Sequence, residues 1–265
     1  MEKKLIPENE LFDIEKITKN LRSKIIGKKI HYFKKISSTN SYAKKLIKEF
    51  TDEGTIVVAD VQTQGRGRKN RLWHSPFGGL WFSIILYPDL PPESGMLITM
   101  AVSISVAQAI KETTGMNAKI KWPNDLLIRN KKVSGILTEL DASSYKINYA
   151  IIGIGINVNN KINDELKTIA CSLKQENNKD ISRIKIFISI LENFDFYYDK
   201  LKNKDLDFIK KTWLSFTNIL NKKIQVTENK KVIEGVFLGI NDLGHLILDT
   251  KFGEIKIITG DIKYL

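Results

Sequence analysis

A long polar connection between two apolar runs limits what this chain can fold into. The runs are residues 54–61 (GTIVVADV) and 80–86 (LWFSIIL). They are rich in β-branched and aromatic residues, so each predicts a buried strand. The segment between them, residues 62–76, has no apolar periodicity and predicts a loop. A loop of this length in a compact domain is usually functional or disordered. Leu72 and Trp73 within it favour a loop that folds over a bound ligand.

Arginine is concentrated in this segment, residues 62–76, which we call the arginine loop. Of the 42 Lys and Arg residues only six are arginines, and three of the six are Arg66, Arg68 and Arg71. Arginine offers a planar, permanently charged fork of donors, and Gly65 and Gly67 let backbone amides approach a ligand closely. Guanidinium groups and backbone amides together suit carboxylate or phosphate oxygens. The loop therefore predicts an anion-binding site, either in a small-molecule pocket or at a nucleic-acid contact.

The charge distribution favours the small-molecule pocket. The net charge of +12 would fit a nucleic-acid partner. The lysines, however, are spread from Lys3 to Lys263, singly or in pairs, which is typical of a solvated surface.

A single cysteine, Cys171, excludes an internal disulfide and a multi-cysteine metal site. The three histidines lie far apart in the sequence and show no metal-ligand spacing.

The sequence gives no sign of a targeting or membrane segment. The N-terminus lacks a signal-peptide pattern, so we expect a cytoplasmic protein. The longest apolar stretch, residues 97–110, is interrupted by polar residues. We expect it to form a buried helix that is too short and too polar to span a bilayer.

Periodicity predicts an α+β chain. Helical patterns cover residues 13–21, 37–50, 94–114 and 181–220. Strand patterns cover residues 30–33, 54–61, 80–86, 118–122, 126–128, 132–140, 148–158, 223–226, 232–238, 245–248 and 255–258. The short strands near the C-terminus suggest a small barrel attached to a larger mixed domain. We predict an N-terminal extension with one helix over residues 1–29, a catalytic domain over 30–220 and the barrel over 221–265.

Familiar nucleotide-binding signatures are absent. The chain has no phosphate-binding loop of the G-x-x-x-x-G-K-[ST] type. Gly153 and Gly155 begin like a dinucleotide fingerprint, but Val158 stands in the place of the third glycine. The polar stretch 159–164 then follows where the phosphate-binding helix of a dinucleotide-binding fold should begin. Glycines on a buried strand can instead make room for a ligand that lies across it.

Two further segments carry polar groups that could serve a nucleotide. In residues 121–127 (KWPNDLL), Asn124 and Asp125 follow a predicted strand. Asp125 could hold Mg²⁺ beside a triphosphate, or the two residues could simply form an Asx-turn. Lys132, at the next turn, is by itself typical of a solvated surface.

The order and approximate spacing of these segments resemble those of biotin protein ligases. The matching motifs are Ser38-Thr39-Asn40, Gln62 with Gly65-Arg66-Gly67-Arg68, Arg71-x-Trp73-x-Ser75-Pro76, Lys121-Trp122-Pro123-Asn124-Asp125, Lys132-x-x-Gly135-Ile136-Leu137 and Gly153-x-Gly155-x-Asn157. The resemblance extends from about His31 through the C-terminal barrel.

The resemblance implies a class II synthetase-like catalytic domain, in which helices pack on a mixed β-sheet, and a C-terminal SH3-like β-barrel. It implies an enzyme that uses Mg²⁺ to condense biotin with ATP into biotinyl-5′-AMP and pyrophosphate. The biotinyl group would then pass to one lysine of a biotin carboxyl carrier protein or domain. The arginine loop would act as a mobile lid over biotin and its adenylate. A homodimer is compatible with this assignment.

The resemblance also assigns roles to residues. The expected catalytic residues are Lys132, Arg66 and Arg68. The expected biotin site comprises Ser38, Thr39, Asn40, Gln62, Gly65, Arg66, Gly67, Arg68, Lys132, Gly135, Gly153 and Gly155. The expected ATP and adenylate site comprises Arg68, Arg71, Trp73, Asn124, Lys132 and Asn157, with Asp125 as the Mg²⁺ ligand.

Two alternatives bear on this assignment. Some biotin protein ligases carry an N-terminal winged helix-turn-helix that represses transcription. Only residues 1–29 precede the first predicted strand, so we expect a monofunctional ligase with no specific DNA binding. A relative in the lipoate ligase branch, which uses the same chemistry on a different acid, is the second alternative.

Overall fold

The computed structural model describes residues 12–228 and 231–265 and shows a mixed seven-stranded sheet. Its strands are β1 (Ile30–Phe33), β2 (Ile56–Ala59), β3 (Leu80–Leu86), β4 (Lys119–Lys121), β5 (Asp125–Ile128), β6 (Lys131–Ala142) and β7 (Ile147–Ile156). They lie in the order β1-β2-β3-β7-β6-β5-β4. The β1–β2 pair is parallel and the other pairs are antiparallel. The predicted mixed sheet is therefore confirmed.

Helices cover both faces of this sheet. They are α1 (Ile14–Asn20), α2 (Thr39–Lys48), α3 (Gly95–Thr114), α4 (Leu173–Asn177), α5 (Arg183–Lys202) and α6 (Leu206–Phe216). The short helix α4 was not predicted from the sequence. Residues 1–11 of the predicted N-terminal extension lie outside the described residues.

The core helix α3 is buried almost all round, because the residues on every side of it are apolar or small. It ends where Gly115 takes a left-handed conformation with φ 75°. The longer segment Pro92–Thr114 is long and apolar enough to cross a membrane, so the expectation that it is too short and too polar was wrong. The expected burial is confirmed, because 83% of its most apolar window lies inside the protein.

Alternation along the central strands divides the core in two. Val57, Ile85 and Ile151 face α2, where they pack with Ala43 and Leu46. The neighbouring residues of the same strands point to the opposite face and join the main core, which includes α3 and α5. Gly153 and Gly155 lie two and four positions after Ile151 on β7, so they are on the same face of the sheet as Ile151, the face that α2 covers.

The C-terminal unit is a five-stranded antiparallel sheet, consistent with the predicted small barrel. Its strands are β8 (Lys223–Glu228), β9 (Lys231–Ile240), β10 (Leu246–Thr250), β11 (Gly253–Ile257) and β12 (Asp261–Tyr264). They lie in the order β11-β10-β9-β8-β12. The last strand was not among those predicted. The unit packs on the larger domain, where Trp122 Nε1 donates to the carbonyl of Gly244 at 3.2 Å.

Candidate active site

The predicted site residues converge on one cavity of about 310 Å³. It opens on the α2 face of the sheet, beside the arginine loop. Its lining includes the predicted residues Ser38, Thr39, Asn40, Gln62, Arg66, Gly67, Arg68, Arg71, Trp73, Asn124, Asp125, Lys132, Gly135, Gly153, Gly155 and Asn157. Gly65 is the one predicted site residue that does not line the cavity. A Cβ there would come within 2.4 Å of the Trp73 carbonyl, so the loop needs glycine at that point.

The inner end of the cavity is uncharged and polar. Helix α2 begins after Ser38, whose side chain makes no capping bond. The side-chain oxygen of Gln62, Oε1, takes that role instead, because it accepts from the Thr39 backbone amide at 2.8 Å and from the Thr39 hydroxyl at 3.0 Å. Ser83 Oγ, from β3, lies 2.6 Å from Asn40 Oδ1 and 2.7 Å from Thr39 Oγ1. The start of α2 is thereby fixed to the loop and to the sheet.

Three glycines form the floor of the cavity. Gly135 and Gly155 are register partners on β6 and β7, and the Trp73 indole lies over both. A Cβ at Gly155 would come within 2.4 Å of Trp73 Nε1, and one at Gly153 within 2.2 Å of Asn40 Oδ1. These glycines thus make room for two side chains of the site itself. Within the described part of the chain, the buried Trp73 Nε1 has no hydrogen-bond partner.

Arg66 is anchored to the sheet through Glu139. This carboxylate, on β6, accepts from Arg66 Nη2 at 2.7 Å, from Asn40 Nδ2 at 2.7 Å and from Lys44 Nζ at 2.9 Å. Burial opposes its ionisation, but the hydrogen bonds from Asn40 and Lys44 and the charge of Arg66 outweigh burial and lower the pKa of Glu139. No sequence pattern selects Glu139, because its three partners come from two distant segments.

The second half of the loop contacts the C-terminal unit. Residues Arg68–Asn70 form a tight turn, in which Lys69 has a left-handed φ of 55° instead of a helical one. Arg68 Nη1 donates to Asn124 Oδ1 at 2.9 Å, and Arg68 Nη2 donates to Thr259 Oγ1 at 3.2 Å. Asp261, on β12, also lines the cavity. The C-terminal unit therefore contributes to the lining of the site.

A buried arginine joins the two ends of the loop. Arg183, at the start of α5, donates through Nη1 to Asp60 Oδ1 at 2.8 Å and to the Gly79 carbonyl at 3.2 Å. Asp60 directly follows β2, and Gly79 directly precedes β3. The side chains of Arg183 and Asp60 are only 7% and 3% exposed. The two ends of the loop are consequently held together inside the protein.

Lys132 is paired inside the cavity. Its Nζ lies 2.7 Å from Asp125 Oδ1 and 5.0 Å from the centre of a Trp73 ring. This geometry contradicts the interpretation of Lys132 as a solvated surface residue. Asn124 donates through Nδ2 to the Ile136 carbonyl at 2.8 Å, so its amide reaches across to β6.

A segment that the sequence analysis did not select completes the wall. Asn160, Lys161, Ile162, Asn163, Leu166, Ile169 and Ala170 line the cavity. Asn160 Nδ2 donates to Asn157 Oδ1 at 3.0 Å, which links this segment to a predicted residue. The polar residues 159–164 were the only feature of this segment that the sequence showed, and they did not indicate a cavity wall.

Two family models match the chain. The model described as the biotin/lipoate A/B protein ligase family covers residues 32–157. The model described as the biotin protein ligase C terminal domain covers residues 219–263.

Proteins of similar sequence include two bifunctional ligase/repressors named BirA. The one from Bacillus subtilis is 40% identical over 247 residues, which is 92% of this chain and 76% of the relative. The one from Escherichia coli is 25% identical over 87% of this chain and 72% of its own length. The biotin--[acetyl-CoA-carboxylase] ligase of Paracoccus denitrificans is 27% identical over 85% of this chain and 96% of its own length.

Solved structures agree with this relationship. The biotin protein ligase from Aquifex aeolicus, in complex with biotin and ATP, superposes with a TM-score of 0.78 at 31% identity. The match covers 89% of this chain and 98% of that one. The Leishmania major biotin protein ligase in complex with biotinyl-5-AMP has a TM-score of 0.60 at 21% identity, over 90% and 99% of the two chains, and supports the fold. With two matching models and a relative at 40% identity, the chain belongs to the biotin protein ligase family and is a ligase enzyme.

Proposed function

We propose that this ligase condenses biotin with ATP to biotinyl-5′-AMP and pyrophosphate, and then transfers the biotinyl group to a lysine of a carrier protein. The observation that carries the proposal is the division of the cavity into two ends. One end is the uncharged network of Thr39, Asn40 and Gln62, which suits a neutral, hydrogen-bonding ring. The other end holds Arg68 and Lys132, which suit the carboxylate and phosphate oxygens.

The first step joins two anions. A carboxylate oxygen of biotin attacks the α-phosphorus of ATP, the bond to the bridging oxygen breaks, and pyrophosphate leaves. Positive groups directed at the developing charge lower this barrier, and one such donor contributes about 3 kcal/mol. Lys132 and Arg68 are placed for that role. The substrate carboxylate is itself the nucleophile, so the chain has no need of an activated serine or cysteine.

The second step transfers the acyl group. The acceptor lysine amine attacks the acyl carbon of the mixed anhydride, AMP leaves, and the amine nitrogen loses a proton. Trp73 and the arginine loop would shield the anhydride from water until the acceptor arrives. A biotin carboxyl carrier domain as acceptor is supported by the Paracoccus denitrificans relative, which is named for acetyl-CoA carboxylase.

Mg²⁺ fits the donor set only together with the nucleotide. Among the described residues no group of three His, Cys, Asp or Glu side chains could hold a metal ion. Mg²⁺ commonly binds one or two carboxylates plus substrate phosphates. Asp125 is the carboxylate placed to contribute, and it would then leave Lys132 free to turn to the phosphates.

Biotin-dependent exchange of labelled pyrophosphate into ATP tests the first step. We expect exchange with biotin and Mg²⁺ present and none with lipoate in its place. Exchange with lipoate alone would assign the chain to the lipoate branch. The absence of exchange with either acid would refute the proposal.

Incubation of the enzyme with ATP, labelled biotin and a biotin carboxyl carrier domain tests the second step. We expect label on the carrier, and no label when its acceptor lysine is replaced by arginine. Adenylate formation without transfer to the wild-type carrier would show that the acceptor belongs to another class.

A further inference from the structure

The last strand of the C-terminal unit reaches into the arginine loop through Asp261. Its carboxylate lies 2.8 Å from Lys69 Nζ, 3.5 Å from Arg71 Nη2 and 4.0 Å from Arg68 Nη1. One carboxylate from the C-terminal unit therefore faces three cations of the catalytic domain. These cations would otherwise repel one another at the mouth of the cavity.

The loop backbone at this point is in a disfavoured conformation. Lys69 and Asn70 have positive φ angles of 55° and 58°, which residues other than glycine rarely adopt. Two backbone bonds close the turn, from the Gly67 amide to the Arg71 carbonyl at 2.8 Å and from the Arg71 amide to the Arg68 carbonyl at 3.2 Å. Such a conformation persists where the surroundings hold it, and the contact between Lys69 and Asp261 supplies one holding point outside the loop.

Asp261 is ionised at neutral pH. Burial opposes its charge, but the hydrogen bond and charge of Lys69, with the charges of Arg68 and Arg71, outweigh burial and lower its pKa.

We propose that Asp261 is a positioning residue for adenylate formation, which gathers the loop cations so that Arg68 and Arg71 face the phosphates of ATP. The inference rests on the proposed function. Lys69 takes the close contact with the carboxylate, whereas Arg71 and Arg68 lie farther from it. Arg68 is oriented further by Asn124 and by Thr259, the latter also from the C-terminal unit.

The sign of the effect distinguishes positioning from competition. A carboxylate near the phosphate site should by its charge alone repel ATP, so its neutralisation would lower the KM for ATP. If Asp261 instead organises the loop, its neutralisation should raise that KM, despite the favourable change in charge. The two roles therefore predict opposite results for one substitution.

The test is steady-state pyrophosphate exchange with Asp261→Asn, in the full chain. We expect the KM for ATP to rise about tenfold and the KM for biotin to stay within about twofold, since the Arg66 end of the loop is held separately. Asp261→Glu should restore most of the ATP affinity, because it returns the charge.

Glu234→Gln is the matched control, since Glu234 is an exposed acid of the same unit paired with Lys223 at 3.3 Å. It makes the same change in charge and should leave both KM values unchanged. A lower or unchanged KM for ATP in Asp261→Asn would overturn the inference while wild-type exchange upheld the proposed function. Absence of exchange in the wild type would instead refute the proposed function.

Discussion

The two halves of the arginine loop are held in different ways. At the base of the loop, Arg66 pairs with Glu139, whose side chain is 21% exposed and belongs to the central sheet. At the tip, Lys69 and Arg71 pair with Asp261, whose side chain is 43% exposed and belongs to the C-terminal unit. Exposed ion pairs contribute little individually and are screened by salt. The base is thus built into the domain that carries the uncharged end of the cavity, and the tip depends on a second unit.

This difference suggests separate roles for loop cations that look equivalent in the sequence. Arg66 shares its carboxylate with Asn40, so it lies next to the uncharged network of Thr39, Asn40 and Gln62. Arg68 contacts Asn124 and belongs to the charged end. We therefore expect changes at the base to affect biotin and changes at the tip to affect ATP.

Lys132 lies at the charged end and should give the largest effect. We expect Lys132→Ala to slow pyrophosphate exchange by about 100-fold or more, because a cation directed at the developing charge is removed. Pre-steady-state formation of the adenylate would show whether chemistry is the affected step.

Lys131→Ala is the control for this change, since it removes a neighbouring lysine outside the cavity lining and should keep nearly full activity. Near-normal exchange by Lys132→Ala would show that Lys132 behaves as an ordinary surface lysine. Arg68 would then be the cation that acts at the charged end of the cavity.

The base can be tested by a double-mutant cycle. Arg66→Ala and Glu139→Gln should each raise the KM for biotin about tenfold, and the double variant should be little worse than either, because the two side chains act as one unit. Steady-state pyrophosphate exchange measures these KM values, and isothermal titration with biotin measures the corresponding change in Kd.

Lys44→Ala provides the comparison for the cycle, because Lys44 pairs with the same carboxylate but does not line the cavity. It should change biotin affinity by no more than about twofold. Fully additive effects of Arg66→Ala and Glu139→Gln would show that the pair does not act as a unit.

Salt should separate the tip from the base. At 0.15 M ionic strength the screening length is about 8 Å, and at 1 M it is about 3 Å. We expect added salt to speed amide hydrogen exchange at residues 68–72 more than at residues 63–66. An equal increase of the exchange rate in both halves would show that the more exposed ion pairs of Asp261 do not hold the tip more weakly than Glu139 holds the base.

The smallest expected effect concerns acid pH. The pKa of Glu139 is lowered in the folded protein, so its contribution to stability is complete above the pKa of the unfolded chain, about 4.3. That contribution is lost as the pH falls through the lower pKa of the folded state.

Urea unfolding of the wild type and of Glu139→Gln measures this contribution. The difference in unfolding free energy should be at most about 1 kcal/mol at neutral pH, and it should shrink below about pH 4. A difference that does not change with pH would mean that the carboxylate charge is not what holds Arg66.

Much of the fold could be predicted because local patterns determine it. The strand at residues 30–33 and the strand at 80–86 were predicted with the bounds that the structure shows. Each of the matching motifs also contributes residues to the lining of one cavity.

Other parts of the site depend on contacts between distant segments. Lys69 and Asp261 are 192 positions apart, and Asn40 and Glu139 are 99 positions apart. Periodicity and spacing contain no information on such pairs. The wall at residues 160–170 was missed for a related reason, because a polar stretch has the same appearance whether it faces solvent or a cavity.

The position of Asp261 late in the chain has a consequence for biosynthesis. The sheet, the glycine floor and the arginine loop are all made before it. During translation the cavity therefore lacks one wall until the ribosome has passed β12. A truncated chain that ends before this strand would carry every motif of the catalytic domain and still lack Asp261 in its site.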